Sequence, residues 1–216
     1  KRKTHQNDRL CQMRRKRSGG GGSCASAATG PDPAPTTFRV KVISLGDSQV
    51  GKSCLIKRYC ERRFVERYVQ TIGIDFGVKH VSAGSKKLKV NFFDMSGKAS
   101  FEETRAEFYA DTQGMLICYD VSSVASFDAL DGWLAEAKRN GLPASACGVV
   151  CATKQEEGSG RRRQVDAMDG HDWAREHGYD FFETSANTGA NVDEAVQRLL
   201  EHVVRSINAE IAAAST

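Results

Sequence analysis

Between positions 38 and 45 apolar and charged residues alternate. Phe38, Val40 and Val42 are separated by Arg39 and Lys41, and Ile43 and Leu45 follow, which is the two-residue period of a strand. A glycine-rich turn comes next, then a helix over about 52–62. Residues 74–81 and 87–93 are apolar, aromatic and β-branched, with Ala83-Gly84-Ser85 between them, and predict an antiparallel hairpin. Met115–Tyr119 and Gly148–Ala152 are short continuous apolar runs, as expected of strands covered on both faces. Tyr179–Phe182 is a further short strand. Phe127, Leu130, Leu134 and Ala137 fall on one helical face. Val192, Ala195, Val196, Leu199, Leu200, Val203, Val204 and Ile207 form a long stripe at helical spacing, with Asn191 placed to cap it. Strands alternating with helices imply βαβ units. The predicted fold class is α/β: a P-loop, doubly wound, six-stranded, mostly parallel sheet with helices on both faces.

Residues 1–36 have a different texture: a charged start, Ser18 to Ser23 rich in glycine, small residues, then Pro31, Pro33 and Pro35. Such composition cannot bury a core and reads as a disordered tail, leaving a domain over 37–207 and a short flexible end over 208–216. The net charge of +4 belongs to the tail, since residues 1–17 hold eight basic side chains against the single acid Asp8. The remaining chain is net acidic, so no nucleic-acid partner is expected. The basic run is either a solvated tail or an electrostatic tether to acidic lipid or a nuclear address. No stretch approaches the length of a membrane-crossing helix, and no secretory h-region follows the basic start. The seven cysteines are odd in number and contain no CxxC pair, which argues against a disulfide framework or zinc site and for a reducing, cytoplasmic compartment.

The chemistry concentrates at Gly46-Asp47-Ser48-Gln49-Val50-Gly51-Lys52-Ser53, which matches GxxxxGK[ST] between a strand and a helix. Glycines let backbone N–H groups wrap a phosphate, and the helix N-terminus adds its dipole. Lys52 would reach the β- and γ-phosphates, and the Ser53 hydroxyl would ligate Mg²⁺. Three more pieces follow in order. Asp94-Met95-Ser96-Gly97 ends a strand, with Asp94 placed for Mg²⁺ and the Gly97 N–H for a γ-phosphate. Thr71, in Gln70-Thr71-Ile72-Gly73, would complete the Mg²⁺ shell when the γ-phosphate is present. Glu183-Thr184-Ser185-Ala186 would bring backbone N–H groups near a base.

With these pieces the domain resembles a small GTPase of the Ras superfamily, of the Rab type. Tyr59–Val65, Thr71–Gly77 and Ser126–Leu134 resemble the Rab-like subfamily often fused to a C-terminal J domain, and the sequence ends before such a domain. The resemblance implies GTP or GDP with Mg²⁺ as ligands. It implies a nucleotide site of Gly46 to Ser53 with Cys54, Phe64 against the base edge, Tyr68 and Thr71 in the first switch, and Asp94 and Gly97 in the second. Ser185, Ala186 and Asn187 would line the guanine pocket. Effector proteins that read the GTP-bound switches, and an exchange factor, are the implied partners. The resemblance alone suggests a peripheral membrane, cilium or basal-body association.

Three departures qualify it. Lys98 stands where these proteins usually carry the glutamine that orients the attacking water. A lysine has no acceptor, so hydrolysis should be very slow. Thr153-Lys154-Gln155-Glu156 replaces the guanine-reading Asn-Lys-x-Asp: Glu156 keeps a carboxylate, Thr153 a hydroxyl and Lys154 its stem. No cysteine follows Cys151, so no prenyl anchor is expected, and membrane contact would be weak and through the basic tail. The expected function is a GTP/GDP switch with Lys52, Thr71, Gly97 and Lys98 at the reaction centre. The alternatives are a GTPase relying on a partner's catalytic group, a pseudo-GTPase scaffold, and, more remotely, a P-loop ATPase or kinase.

Overall fold

The computed structural model describes residues 37–84, 86–155 and 162–214. The tail over 1–36 therefore lies outside the described residues, as do Ser85 and Glu156. Six strands form one sheet: β1 (Thr37–Leu45), β2 (Ile74–Ala83), β3 (Lys86–Met95), β4 (Gly114–Asp120), β5 (Cys147–Thr153) and β6 (Asp180–Thr184), in the order β2-β3-β1-β4-β5-β6. Only β2 and β3 pair antiparallel; the other neighbours are parallel. This is the expected doubly wound sheet with its antiparallel strand at an edge.

Helices cover both faces. α1 (Lys52–Glu61) and α6 (Val192–Ala214) pack on one side, where Leu55, Ile56, Leu199 and Val203 meet Val40, Phe92 and Leu116. α4 (Leu130–Arg139) and α5 (Ala167–Glu176) pack on the other, where Leu130, Leu134 and Ala174 meet Ile43, Ile117 and Val150. β4 and β5, apolar up to their last residues Asp120 and Thr153, are buried along nearly their whole lengths, as their apolar runs predict.

The local reading differs from the structure in five places. The helical face through Phe127 and Ala137 belongs to two helices, α3 (Val124–Asp128) and α4, because the chain relaxes at Ala129 between them. Ser123 caps α3 by accepting from the Ser126 N–H at 3.3 Å. α5 has no strong apolar stripe and Gly170 sits within it; it is started by Asp166, which accepts from the Met168 N–H at 3.1 Å. A side chain at Gly170 would meet the Tyr119 hydroxyl, so the glycine is required by packing. Asn191 does not use its side chain to cap α6; its Nδ2 donates to the Glu183 carbonyl at 2.8 Å. Finally, α6 continues to Ala214, so residues 208–214 extend the helix that the apolar stripe ends at Ile207. A 3₁₀ turn (Ala99–Phe101) runs into the short α2 (Glu102–Ala106), both unforeseen because neither is long enough to show a period.

Candidate functional site

The carboxyl ends of β1, β3, β5 and β6 converge on a cleft of about 450 Å³, a size suited to a small ligand. Its floor is the turn between β1 and α1. Gly46 takes φ +131° and its Cα lies against the Cys118 carbonyl, so that a Cβ would be 2.1 Å from that oxygen. Gly51 takes φ +107° at the start of α1. These two positions demand glycine, and they wrap the turn around the helix N-terminus.

Lys52 is the buried cation at the turn. Its ammonium donates to the carbonyls of Gly46 at 2.6 Å and Asp47 at 2.7 Å. An ammonium has three protons, so one remains for an anion in the cleft. Burial pushes its pKa down, with Asp94 the foremost opposing charge.

Ser53, Thr71 and Asp94 come together although they lie on three different segments. Ser53 Oγ is 3.0 Å from Thr71 Oγ1, Thr71 Oγ1 is 3.2 Å from Asp94 Oδ2, and Ser53 Oγ donates to the same carboxylate oxygen. Neighbouring ligands of octahedral Mg²⁺ stand about 3 Å apart, given bonds of roughly 2.0–2.1 Å. The oxygen set therefore fits that ion in chemistry and spacing. Burial raises the Asp94 pKa, and hydrogen bonds from Ser53, Ser44 and Thr71 with the charge of Lys52 oppose it. A carboxylate that is costly to ionise in isolation favours a cation beside it.

The other expected residues divide. Ser48, Gln49, Cys54, Phe64, Tyr68, Gly97, Thr153, Lys154, Ala186 and Asn187 line the cleft with Gly51, Lys52, Ser53 and Thr71. Asp47 and Val50 support the turn from behind. Ser185 does not face the cleft; it is fully buried and its hydroxyl accepts from the Thr188 N–H at 3.0 Å, which shapes the loop that presents Ala186 and Asn187. Lys98 is exposed and outside the cleft lining; its ammonium donates to Gln70 Oε1 at 2.8 Å. Glu156 lies outside the described residues.

Thr153 acts differently from a base reader. Its hydroxyl reaches the Val50 carbonyl and the Tyr119 carbonyl, the latter at 2.8 Å, and so ties β5 to the turn and β4. Lys154 takes φ +63° and pairs with Asp120 at 2.6 Å. Sequence reasoning missed Asp120, although an acid at the end of a buried strand was a signal. It also missed Trp133, whose Nε1 donates to Asp47 Oδ1 at 2.8 Å, and Arg105 with Glu136, which carry no local signature.

The comparisons with known proteins agree with this geometry. The family model described as "Ras family" matches residues 41–205. The chain belongs to the Ras family. Its domain is thus a small GTPase domain, the class that binds guanine nucleotide as a switch. Relatives of this Ras-family chain include "DnaJ homolog subfamily C member 27" of Gallus gallus, 47% identical over 175 residues covering 79% of this chain and 63% of that protein. Its Homo sapiens counterpart is 48% identical over 172 residues, covering 78% of this chain and 62% of that protein. The Danio rerio protein is 48% identical over 171 residues, 77% and 62% respectively. The alignment thus spans under two thirds of the length of these relatives.

Proposed function

We propose that this domain is a Rab-like GTP/GDP switch that needs Mg²⁺ to hold nucleotide and hydrolyses GTP very slowly. The observation that carries the reading is the convergence of Ser53, Thr71 and Asp94 beside the free proton of Lys52. Ser53 belongs to the phosphate loop and Asp94 to the end of β3, whereas Thr71 sits in a loop with exposed neighbours. An ion and a terminal phosphate would hold Thr71 in this inward position, and their loss would release it. The shape of the loop around Tyr68, Val69 and Ile72 then reports the nucleotide.

An effector has a surface to read. Tyr68, Val69, Ile72, Phe76 and Val78 are exposed apolar side chains on the switch loop and β2. Phe76 packs on Phe93, and Phe93 on Phe108, with ring centroids 5.1 and 5.5 Å apart. This apolar row adjoins the switch and supports a protein partner. Slow hydrolysis follows from Lys98: it offers no acceptor to a water and its ammonium engages Gln70.

A second reading is a pseudo-GTPase scaffold with weak base recognition. The commitment of the Thr153 hydroxyl to backbone carbonyls favours it. One experiment separates the two. Nucleotide extracted from the purified protein and identified by chromatography should be guanine nucleotide, chiefly GTP. Adenine nucleotide, or none together with no uptake of GTP or GDP in the presence of Mg²⁺, would overturn the switch reading.

A further inference from the structure

Arg105, at the end of α2, is 1% exposed. A buried guanidinium is tolerated only when its donors are used. Nε and Nη2 each lie 2.7 Å from the Glu136 carboxylate, a two-pronged ion pair that Tyr109 completes through its hydroxyl at 2.6 Å. Nη1 reaches elsewhere: to the carbonyl of Ser96 at 3.0 Å and that of Lys98 at 2.6 Å. One cation thus holds the Ser96–Gly97 peptide, which carries the Gly97 N–H, and the Lys98–Ala99 peptide beyond it.

The same guanidinium lies over the Trp133 ring, 4.6 Å from its centroid. Trp133 in turn donates to the side chain of Asp47 in the phosphate loop. Gly97 and the Asp47–Ser48 peptide face each other so closely that a Cβ on Gly97 would be 2.2 Å from Ser48 N and 2.3 Å from Asp47 C. Both walls of this gap are therefore anchored to Arg105, one directly and one through Trp133.

We infer that Arg105 is a positioning residue for the terminal phosphate of GTP: through Glu136 and Trp133 it fixes the Gly97 peptide against the phosphate loop. The inference rests on the reading that the cleft binds GTP and GDP. Gly97 stands where a γ-phosphate contact is made, and GDP has no such group. A site held in its binding geometry gains affinity by the fraction of time it would otherwise spend elsewhere. Arg105 therefore raises affinity for GTP and leaves affinity for GDP nearly unchanged. An ion pair that served only the core would support both nucleotides equally.

The test measures the affinities of fluorescent GDP and a non-hydrolysable GTP analogue, with Mg²⁺, for wild type, Arg105→Lys and Arg105→Met/Glu136→Leu. Lysine keeps the charge and cannot span Glu136 and two carbonyls. The double change replaces the pair with apolar side chains, which buried pairs often tolerate. Both variants should lose about tenfold or more for the GTP analogue, as for a lost hydrogen bond to a charged group, with GDP within about twofold. Equal loss for both nucleotides, or loss for neither, overturns the inference and leaves the nucleotide site standing. Wild type that binds neither nucleotide overturns both.

Discussion

Lys98 Nζ donates to Gln70 Oε1 across 2.8 Å, which links the residue after the Asp94–Gly97 segment to the loop carrying Thr71. On the switch reading proposed above, an attacking water at this position would find no acceptor on Lys98. Phosphoryl transfer depends on positioning and on charge stabilisation. Lys98→Gln supplies a group that accepts from a water and donates to a phosphate oxygen. Single-turnover phosphate release from GTP-loaded protein should rise by about ten- to a hundredfold, the scale of a positioning effect. Wild-type release as fast as the variant's would show that another residue orients the water.

Lys52→Ala should remove most nucleotide affinity. The ammonium is buried and already spends two of its protons on Gly46 and Asp47, so the third is directed by the loop and not free to wander. Hydrogen bonds to charged groups are worth about 1.5–3 kcal/mol each, so a loss of about ten- to 150-fold is expected in GDP titration. Ligand-free variant should also lack the thermal shift that added nucleotide gives wild type. An unchanged dissociation constant would remove the phosphate-loop assignment.

Most of the sheet was legible in the sequence because its signals are local. β1 alternates, β4 and β5 are continuous apolar runs, and α6 repeats a long stripe; each pattern is set by which faces a segment must bury. The phosphate loop was legible for the same reason, since its chemistry is contiguous. What stayed hidden was chemistry assembled from distant segments. Trp133 and Asp47 are 86 positions apart, and Arg105 and Glu136 are 31 apart. Nothing at Arg105 distinguishes it from a solvated arginine until α4 packs over it. Thr153 was found by position, but its role was not. A hydroxyl can serve a base or a carbonyl, and only the nearness of Val50 and Tyr119 decides.

Asp94→Asn trades function for stability. Burial raises the Asp94 pKa above the ordinary 3.8, so the folded state holds a proton more tightly than the unfolded chain. Stability of the Mg²⁺-free domain therefore falls as pH rises above 3.8 toward the raised folded-state value. Asparagine keeps one acceptor oxygen, for Ser44 or for the Ser53–Thr71 pair, and turns a donor amide to the other side, without the charge. The Mg²⁺-free melting temperature should rise, by roughly 2–4 °C for each kcal/mol gained in a domain of this size. Nucleotide affinity in the variant should no longer respond to Mg²⁺, and in wild type that response should fade on acidification at a pH above the usual carboxylate range. A lower melting temperature in the Mg²⁺-free variant would show that the carboxylate is needed for folding.

The base pocket separates affinity from selectivity. The Thr153 hydroxyl has one proton, and it faces two carbonyl acceptors, Val50 and Tyr119. It cannot bond one of them and also donate to a purine nitrogen. An asparagine amide carries two donor protons, so Thr153→Asn should keep the bridge to the turn and add a donor toward the base. The purine N7 is an acceptor in guanine and adenine alike. This variant should therefore tighten GDP and ADP together, by about three- to tenfold, the net worth of one hydrogen bond. By its place in the sequence motif, Glu156→Asp is aimed at the other edge. A shorter carboxylate that meets the guanine N1 and N2 donors gains nothing from adenine, which presents an acceptor at N1 and no amino group at C2. Its effect should appear as GDP affinity alone, and unpaired polar groups should then reject ADP. Titration of wild type, both single variants and the double variant with GDP and ADP checks each half independently. If wild type already prefers GDP as strongly as the double variant, Glu156 reaches the guanine edge as it stands, and the longer side chain costs the site nothing.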